Sequence, residues 1–407
     1  MVGTGKTGTG KTRRRRPLPV EIRPVIRFAG LVVLVDTMFF AVLSPLLASY
    51  ATSANLDRAG IGLLVAAYPL GMVMGAIPAG ALSSRWGPRK LLIVGLTATA
   101  IVSLLFTASS SGPMLVLFRF LQGAAGASSW TAAMSWGASI APADRRGEVA
   151  GRLLGLSVAG SIAGPVVGAL ASIIGAAVVF SAVAALLLGV AVVAARQPAP
   201  VRRQSSGWAG ALGLLNDPNV RIGLWLITLG GLTIGVINSQ APIELKELGV
   251  AALGTSAVYL VMAAFGTAGS PWAGKQADRY GRGKVATALL IVACATMAGI
   301  GLTHQVYLVI VLLIIAGTAL EAIYIPASAL LWDGTAAADT EGGEILAMAN
   351  MLWASGMAIA SVFAGVMSNV LGTASPYLVV AFLAAASIPF GVRIMRTERA
   401  GALSPPA

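Results

Sequence analysis

The chain has 407 residues, of which 57% are hydrophobic and only 11% are charged. So much apolar side chain cannot be buried inside a water-soluble domain, so the composition indicates an integral membrane protein. The 28 Lys and Arg exceed the 15 Asp and Glu, and most of these bases lie in short gaps between apolar runs, which favours an anionic lipid surface over nucleic acid as their counterpart. A single cysteine and a single histidine argue against a disulfide, a zinc site and Ser-His catalysis.

Twelve apolar segments, each about long enough to cross a bilayer, divide the chain. In chain order they cover residues 28–50, 61–82, 91–108, 114–140, 153–173, 175–195, 222–245, 256–273, 285–302, 306–331, 345–371 and 377–395. Because backbone groups in lipid must be hydrogen-bonded within the segment, all twelve are predicted to be helices. The expected fold class is therefore an all-α membrane protein with twelve transmembrane helices.

Polar stretches before, between and after these helices define the predicted domains. Residues 1–27 form a low-complexity basic tail, predicted to be disordered and cytoplasmic. Residues 28–195 and 222–396 form an N-terminal and a C-terminal six-helix bundle, joined by a cytoplasmic linker at 196–221 and followed by a cytoplasmic tail at 397–407. Residues 5–12 fit a phosphate-loop pattern, but no strand precedes them and no helix follows, so no nucleotide site is predicted.

The distribution of Lys and Arg predicts the orientation of the helices. All of these bases except Arg58, Arg119 and Lys246 lie on the side of the membrane that holds the N-terminus. Since bases concentrate on the cytoplasmic side, both termini are expected there, in a multi-pass protein of the cell (inner) membrane facing an anionic leaflet. One loop on this side departs from the pattern, because the residues between helices 10 and 11, including Asp333, are acidic and contain no base.

A motif that follows predicted helix 2 is repeated after predicted helix 8. The first copy, Gly-Ala-Leu-Ser-Ser-Arg-Trp-Gly-Pro-Arg-Lys, begins at residue 80, and the second, Gly-Lys-Gln-Ala-Asp-Arg-Tyr-Gly-Arg-Gly-Lys, begins at residue 274. A duplicated six-helix unit predicts two pseudo-symmetric bundles with a binding site at the midplane between them. The candidate inner-gate residues of the two copies are Gly80, Arg85, Gly87, Arg89, Asp278, Arg279, Gly281 and Arg282.

These motifs closely resemble the signature of the major facilitator superfamily, and the resemblance covers nearly the whole chain from helix 1 to helix 12. Residues 119–123 of helix 4, Arg-Phe-Leu-Gln-Gly, are similar to the Arg-x-x-Gln-Gly element of that family. Asp36 and Pro45 in helix 1 also resemble the twelve-helix antiporters. The most specific match is in helix 5, where the element associated with drug:H+ antiporters is similar to Gly160, Gly164, Pro165 and Gly168.

The first copy of the repeated motif departs from the family pattern. The family has Asp where this chain has Ser84, and only the second copy keeps the acid, as Asp278. In the family this Asp helps to latch the cytoplasmic side shut. The resemblance therefore implies an inner gate that is asymmetric or looser.

Titratable residues inside the helices are functional candidates, because each costs roughly 2.5–3.5 kcal/mol on insertion scales. The candidates for proton coupling are Asp36 in helix 1, Arg119 near the outer end of helix 4 and Glu321 in helix 10. The resemblance implies that helices 1, 4, 7 and 10 line a central cavity, which would expose both carboxylates to water and substrate. The alternatives are that each carboxylate only hydrogen-bonds a neighbouring helix and that Arg119 reaches outer lipid phosphates.

Polar and aromatic side chains of the same helices are candidates for contacting substrate, namely Gln122, Trp130, Asn238, Gln240 and Tyr324. Tyr324 shares the helical face of Glu321, so a cation would meet a charge and an aromatic ring together. Polar amides serve interhelical hydrogen bonds at least as often. The glycines of helix 5, spaced by four residues, predict a close packing seam, and the resemblance adds that this seam prevents leak between the halves.

The resulting hypothesis is a secondary active transporter that exports small amphipathic, drug-like compounds, cationic or neutral, by proton-coupled alternating access. One alternative is a sugar or metabolite permease of the same superfamily. Another, of a different class, is a non-transporting membrane receptor or scaffold. We expect no enzyme activity, cofactor, metal or nucleic-acid partner. The expected partners are a small-molecule substrate, protons and the lipid bilayer, and the protein is expected to be a monomer.

Overall fold

The computed structural model describes residues 22–141, 145–197, 209–337 and 343–403, and these residues are almost entirely α-helical. Twelve long helices, labelled α1 to α12 in chain order, correspond to the twelve predicted ones. The predicted N-terminal tail with its phosphate-loop pattern, much of the predicted linker and the last residues of the predicted C-terminal tail lie outside the described residues. The predicted fold class is confirmed.

Six of the long helices belong to the N-terminal half of the chain. Helix α1 is interrupted at Val42, between the helical stretches Arg23–Ala41 and Leu43–Ser53. The other five helices are α2 at Arg58–Trp86, α3 at Pro88–Ala108, α4 at Gly112–Ile140, α5 at Arg146–Ile174 and α6 at Ala176–Arg196.

The C-terminal half contributes the other six long helices, after a short helix at Ala209–Leu214. They are α7 at Pro218–Glu247, α8 at Ala252–Tyr280, α9 at Arg282–Leu302, α10 at Val306–Ala337, α11 at Gly343–Leu371 and α12 at Ser375–Leu403.

Most helices begin earlier or end later than predicted. The predicted segments end at charged or turn residues, because they were chosen by their apolar character. The helices themselves continue past such residues, because backbone hydrogen bonding does not require apolar side chains. Helix α7 begins inside the predicted linker because the Asp217 carboxylate accepts a hydrogen bond from the Asn219 N–H. Helix α12 likewise continues to Leu403, so the predicted tail at 397–407 begins as helix.

The internal repeat is visible in the backbone. Helices α2 and α8 are followed directly by Gly87 and Gly281, which adopt φ values of 83° and 94°. Only glycine adopts this region readily, and each glycine alone connects its helix to the next one. The two copies of the motif therefore form the same single-residue turn at equivalent points of the two halves.

In the part of the chain that the structure describes, eleven helical spans are long and apolar enough to cross a membrane. The exception among the long helices is α4, whose hydropathy is reduced by Arg119, Gln122 and several Gly and Ser residues. Large apolar side chains such as Ile173, Leu302 and Phe382 remain exposed on the helices. Such exposure is expected of surfaces that face lipid rather than water.

Each half has its own hydrophobic core, and glycines allow close helix packing within and between the halves. Within the N-terminal half, Gly160 and Gly164 of α5 lie directly against the backbone or methyl groups of α1, and Gly168 packs on Pro45. Between the halves, α2 and α11 meet at Gly62 and Gly365, where any side chain would collide with the opposite backbone.

Candidate functional site

A backbone carbonyl of α1 accepts a hydrogen bond from a buried cation. Pro45 has no N–H and removes one helical hydrogen bond close to Val42, where the helix is interrupted. The nearby Phe40 carbonyl accepts a hydrogen bond of 3.0 Å from Arg119 Nη2 of α4. The Arg119 guanidinium is thus held against the backbone of α1 beside the interruption at Val42.

Arg119 is only 4% exposed and is held inside the protein. Its Nη1 donates to Gln122 Oε1 at 3.0 Å, and its guanidinium lies over the Tyr68 ring, 4.4 Å from the ring centroid. Among the described residues its Nε has no hydrogen-bond partner. The alternative that Arg119 extends to lipid phosphates is therefore wrong for this conformation. The helix begins at Gly112, so Arg119 also lies about 10 Å from its end.

Asp36 lies close to the same tyrosine. It is 6% exposed and accepts a hydrogen bond of 3.2 Å from Ser129 Oγ of α4. A Cβ atom at Gly126 would lie 2.9 Å from both Asp36 Oδ1 and the Tyr68 hydroxyl. Tyr68 of α2 therefore lies between the buried acid and the buried base, with its ring on Arg119 and its hydroxyl near Asp36.

A small cavity of about 10 Å³, room for roughly one water molecule, adjoins Arg119 between the two halves. Its lining comprises Phe40, Leu43, Ser44, Leu47, Val65, Arg119, Asn238 and Met357. Phe40 also packs across the halves on Trp353 of α11, with ring centroids 6.1 Å apart. The structure thus brings Arg119 and the predicted residue Asn238 to one cavity at the interface.

Glu321, the other candidate acid, lies midway along α10 and is exposed. Its carboxylate lies directly against Gly266 of α8. The Tyr324 hydroxyl, one turn further on, donates to Asn350 Oδ1 of α11 at 3.4 Å. This side of α10 therefore faces α8 and α11.

An ion pair and several hydrogen bonds join the two halves at one end of the molecule, named here the closed end. They connect the start of α2 and the end of α1 with the ends of α7 and α11. The pairs are Arg58–Glu247 at 2.6 Å, Arg58–Gln240 at 3.2 Å, Lys246–Thr52 at 2.7 Å and Asn369–Asp57 at 2.7 Å. Gln240 also accepts a bond from Ser368 at 2.9 Å, so this predicted substrate contact belongs to the closed end.

The repeated motifs lie at the opposite end, named here the basic end. Arg89 donates to the Gln197 carbonyl at 2.8 Å, and Arg282 pairs with Asp333 of the acidic loop. The Arg282 N–H also donates to Glu398 at 2.8 Å. All of these bonds stay within one half. The remaining charged motif residues, Arg85, Asp278 and Arg279, are exposed.

Like Gln240 and Tyr324, two further predicted substrate contacts, Gln122 and Trp130, do not line this cavity. Gln122 is 1% exposed and donates to Ser103 of α3 at 3.3 Å in addition to its bond with Arg119. Trp130 is partly buried against the N-terminal core. Sequence reasoning missed Tyr68 and the partners of Arg58, because nothing in a single helix indicates which residues of distant helices will meet.

Comparison with known proteins identifies the family. The Major Facilitator Superfamily model matches residues 29–338 and 223–407. A chloramphenicol resistance protein of Streptomyces lividans is 27% identical over 245 residues, which are 58% of this chain and 62% of that protein. An uncharacterized MFS-type transporter of Schizosaccharomyces pombe is 26% identical over 153 residues, 35% of this chain and 32% of that protein. The matched regions thus cover about a third and about three fifths of these relatives.

Solved transporters share the fold at low sequence identity. A bacterial homolog of the human lysosomal transporter Spinster, crystallised inward-facing and unoccupied, has a TM-score of 0.78 at 14% identity, covering 96% of this chain and all of that one (100%). A D-xylose-proton symporter has a TM-score of 0.70 at 16% identity, covering 91% of this chain and 96% of that one. With twelve helices in two halves and a family match along nearly its whole length, this chain belongs to the major facilitator superfamily of membrane transporters.

Proposed function

We propose that this transporter is a proton-coupled exporter of small amphipathic compounds, cationic or neutral. The observation that carries the proposal is the position of Glu321, an exposed carboxylate at mid-helix on the side of α10 that faces α8 and α11. An acid costs too much in hydrocarbon to be kept there without a partner or a role. The chloramphenicol resistance protein among its relatives supports export of drug-like compounds.

The distribution of charge supports an orientation for this conformation. The basic end carries the repeated motifs, and the positive-inside rule assigns it to the cytoplasm. The cross-half bonds of Arg58 and Lys246 then close the outer side. The described conformation is accordingly assigned as inward-facing, and the proposal requires that Glu321 be reached from the cytoplasm in this state.

Substrate capture in this state rests on Glu321 and Tyr324. An ionised Glu321 attracts a cation, and the Tyr324 ring adds a π surface one turn away. When the halves rock and expose the site to the more acidic outside, protonation of Glu321 cancels the attraction and the substrate leaves. The proton is then carried inward as the transporter returns.

Asp36, Tyr68 and Arg119 form a second charged group that responds to the same movement. A guanidinium such as that of Arg119 stabilises the ionised form of an acid that lies close to it. In this state the Tyr68 side chain lies between Arg119 and Asp36. A shift of α2 relative to α4 would change that separation. The protonation of Asp36 would thereby follow the conformation of the halves.

A growth-inhibition panel in an exporter-deficient bacterial host tests the proposal. The chain should protect the host several-fold against basic amphipathic dyes, and Glu321→Gln should remove the protection. Glu148→Gln is the matched control, because Glu148 lies outside the membrane-spanning segment and the hydrogen bond from Arg145 holds the pKa of Glu148 below its usual range. A host that gains no protection against any dye but gains uptake of a sugar would indicate the permease instead.

A further inference from the structure

The small cavity beside Arg119 is lined by polar side chains from both halves and has no role in the proposed transport cycle. Arg119 of α4 and Ser44 of α1 line it from the N-terminal half, and Asn238 of α7 lines it from the C-terminal half. The other lining residues are apolar, namely Phe40, Leu43, Leu47, Val65 and Met357. The cavity wall therefore carries a positive charge and no negative one.

The charge of Arg119 has no direct counter-ion among the described residues. Its two terminal nitrogens donate to neutral acceptors, Gln122 Oε1 and the Phe40 carbonyl, and its Nε is buried without a partner. The buried acid Asp36 lies on the other side of the Tyr68 side chain. A guanidinium stays protonated in proteins, and a buried charge is costly unless it is paired. Burial of Arg119 therefore favours a negative charge beside it.

The neutral polar groups of the cavity can donate to an anion. The Asn238 amide has two N–H donors and the Ser44 hydroxyl has one O–H donor. Asn238 is only 8% exposed, and neither side chain hydrogen-bonds another residue within the described ranges. An anion would accept bonds from these groups and compensate the charge of Arg119, whereas a cation would be repelled by that charge.

The size of the cavity restricts the anion to a single atom. Its volume of about 10 Å³ is room for roughly one water molecule, so phosphate, sulfate and a drug-like substrate are all too large. Chloride is the common biological anion that fits. We infer that this cavity is a halide-binding site, in which Arg119 and Asn238 hold a chloride ion between the two halves. Because such an ion contacts both halves, it stabilises the described conformation.

Thermal unfolding of the full chain, purified without chloride in detergent, tests this inference at constant pH, ionic strength and sodium concentration. The anion is chloride, bromide or gluconate, and gluconate is too large for the cavity. Chloride and bromide should raise the melting temperature saturably, by about 1–3 °C over gluconate, because they bind only the folded state. Equal melting temperatures in the three anions would overturn the inference and leave water as the occupant. Since no transport is measured, failure here is distinct from failure of the proposed export.

Asn238→Asp places a fixed negative charge where the chloride ion is proposed. The carboxylate nearly matches the amide in size and can pair with Arg119, so the halide-dependent rise should disappear. Asn216→Asp is the matched control, because it makes the same change at an exposed position before α7, and it should keep the full rise. Retention of the rise in Asn238→Asp, or its loss in Asn216→Asp, would overturn the assignment.

Anomalous diffraction from crystals grown in bromide gives a second measurement that needs no variant. A bromide peak is expected between Arg119 and Asn238. Its absence, at a bromide concentration that gives the full thermal rise, would place the stabilising ions elsewhere and overturn the assignment. This result also decides the matter if Asn238→Asp does not fold.

Discussion

At the scale of single residues, Tyr68 brings the acid of α1 and the base of α4 into one arrangement. Charged residues in apolar helices are conspicuous, so Asp36, Arg119 and Glu321 could be predicted as candidates from the sequence. Tyr68 and Ser129 could not, because an aromatic ring or a hydroxyl in a helix is ordinary. Their contacts depend on how α2 and α4 are rotated, which no single segment encodes.

Gly126→Ala tests whether the close approach of Asp36 and Tyr68 matters. The added methyl group would lie 2.9 Å from Asp36 Oδ1 and from the Tyr68 hydroxyl, so one of them must move. Efflux of a basic dye from cells should fall at least tenfold, while overpacking costs about 1–3 kcal/mol of stability. Gly189→Ala on α6, where the space is open, should leave efflux unchanged. Equal activity of the two variants would remove Asp36 and Tyr68 from the mechanism.

At the scale of helices, the sequence predicts which segments cross the membrane but not where they bend or end. Hydropathy identifies the apolar stretches, because lipid imposes one simple requirement on them. Pro45 is visible in the sequence as a helix-disrupting residue of α1, whereas the hydrogen bond from Arg119 to the Phe40 carbonyl is a tertiary contact. The seam between α1 and α5 was predictable in part, since glycines spaced by four residues indicate close approach without naming the partner helix.

Gly164→Ala tests that seam. Gly164 packs directly on Ala41, so an added methyl group should lower the stability of the purified protein by about 1–3 kcal/mol. Gly155→Ala on the same helix meets open space and should leave the melting temperature unchanged or slightly raised, because alanine favours helix. Thermal unfolding in detergent, followed by a thiol-independent dye, compares the two. A smaller loss for Gly164→Ala than for Gly155→Ala would be inconsistent with a seam at this position.

At the scale of the whole molecule, the two halves are equivalent in fold but not in charge. The repeat predicts two bundles, and the matching turns at Gly87 and Gly281 confirm it. The bonds of the closed end join residues such as Arg58 and Glu247, 189 positions apart, and could not be predicted from local patterns. The basic end is asymmetric in its charges: Ser84 stands where the second copy has Asp278, and only the second copy has an arginine, Arg282, that pairs with an acid, Asp333, among the described residues.

Export by proton exchange at membrane carboxylates is tested most directly by dye accumulation in everted membrane vesicles whose interior is acidified. Vesicles with the wild-type chain should accumulate a basic amphipathic dye, and a protonophore should abolish the accumulation. Vesicles with Asp36→Asn and Glu321→Gln together should accumulate less than about a tenth as much, because neither acid can exchange a proton. Full, protonophore-sensitive accumulation by that double variant would contradict the mechanism.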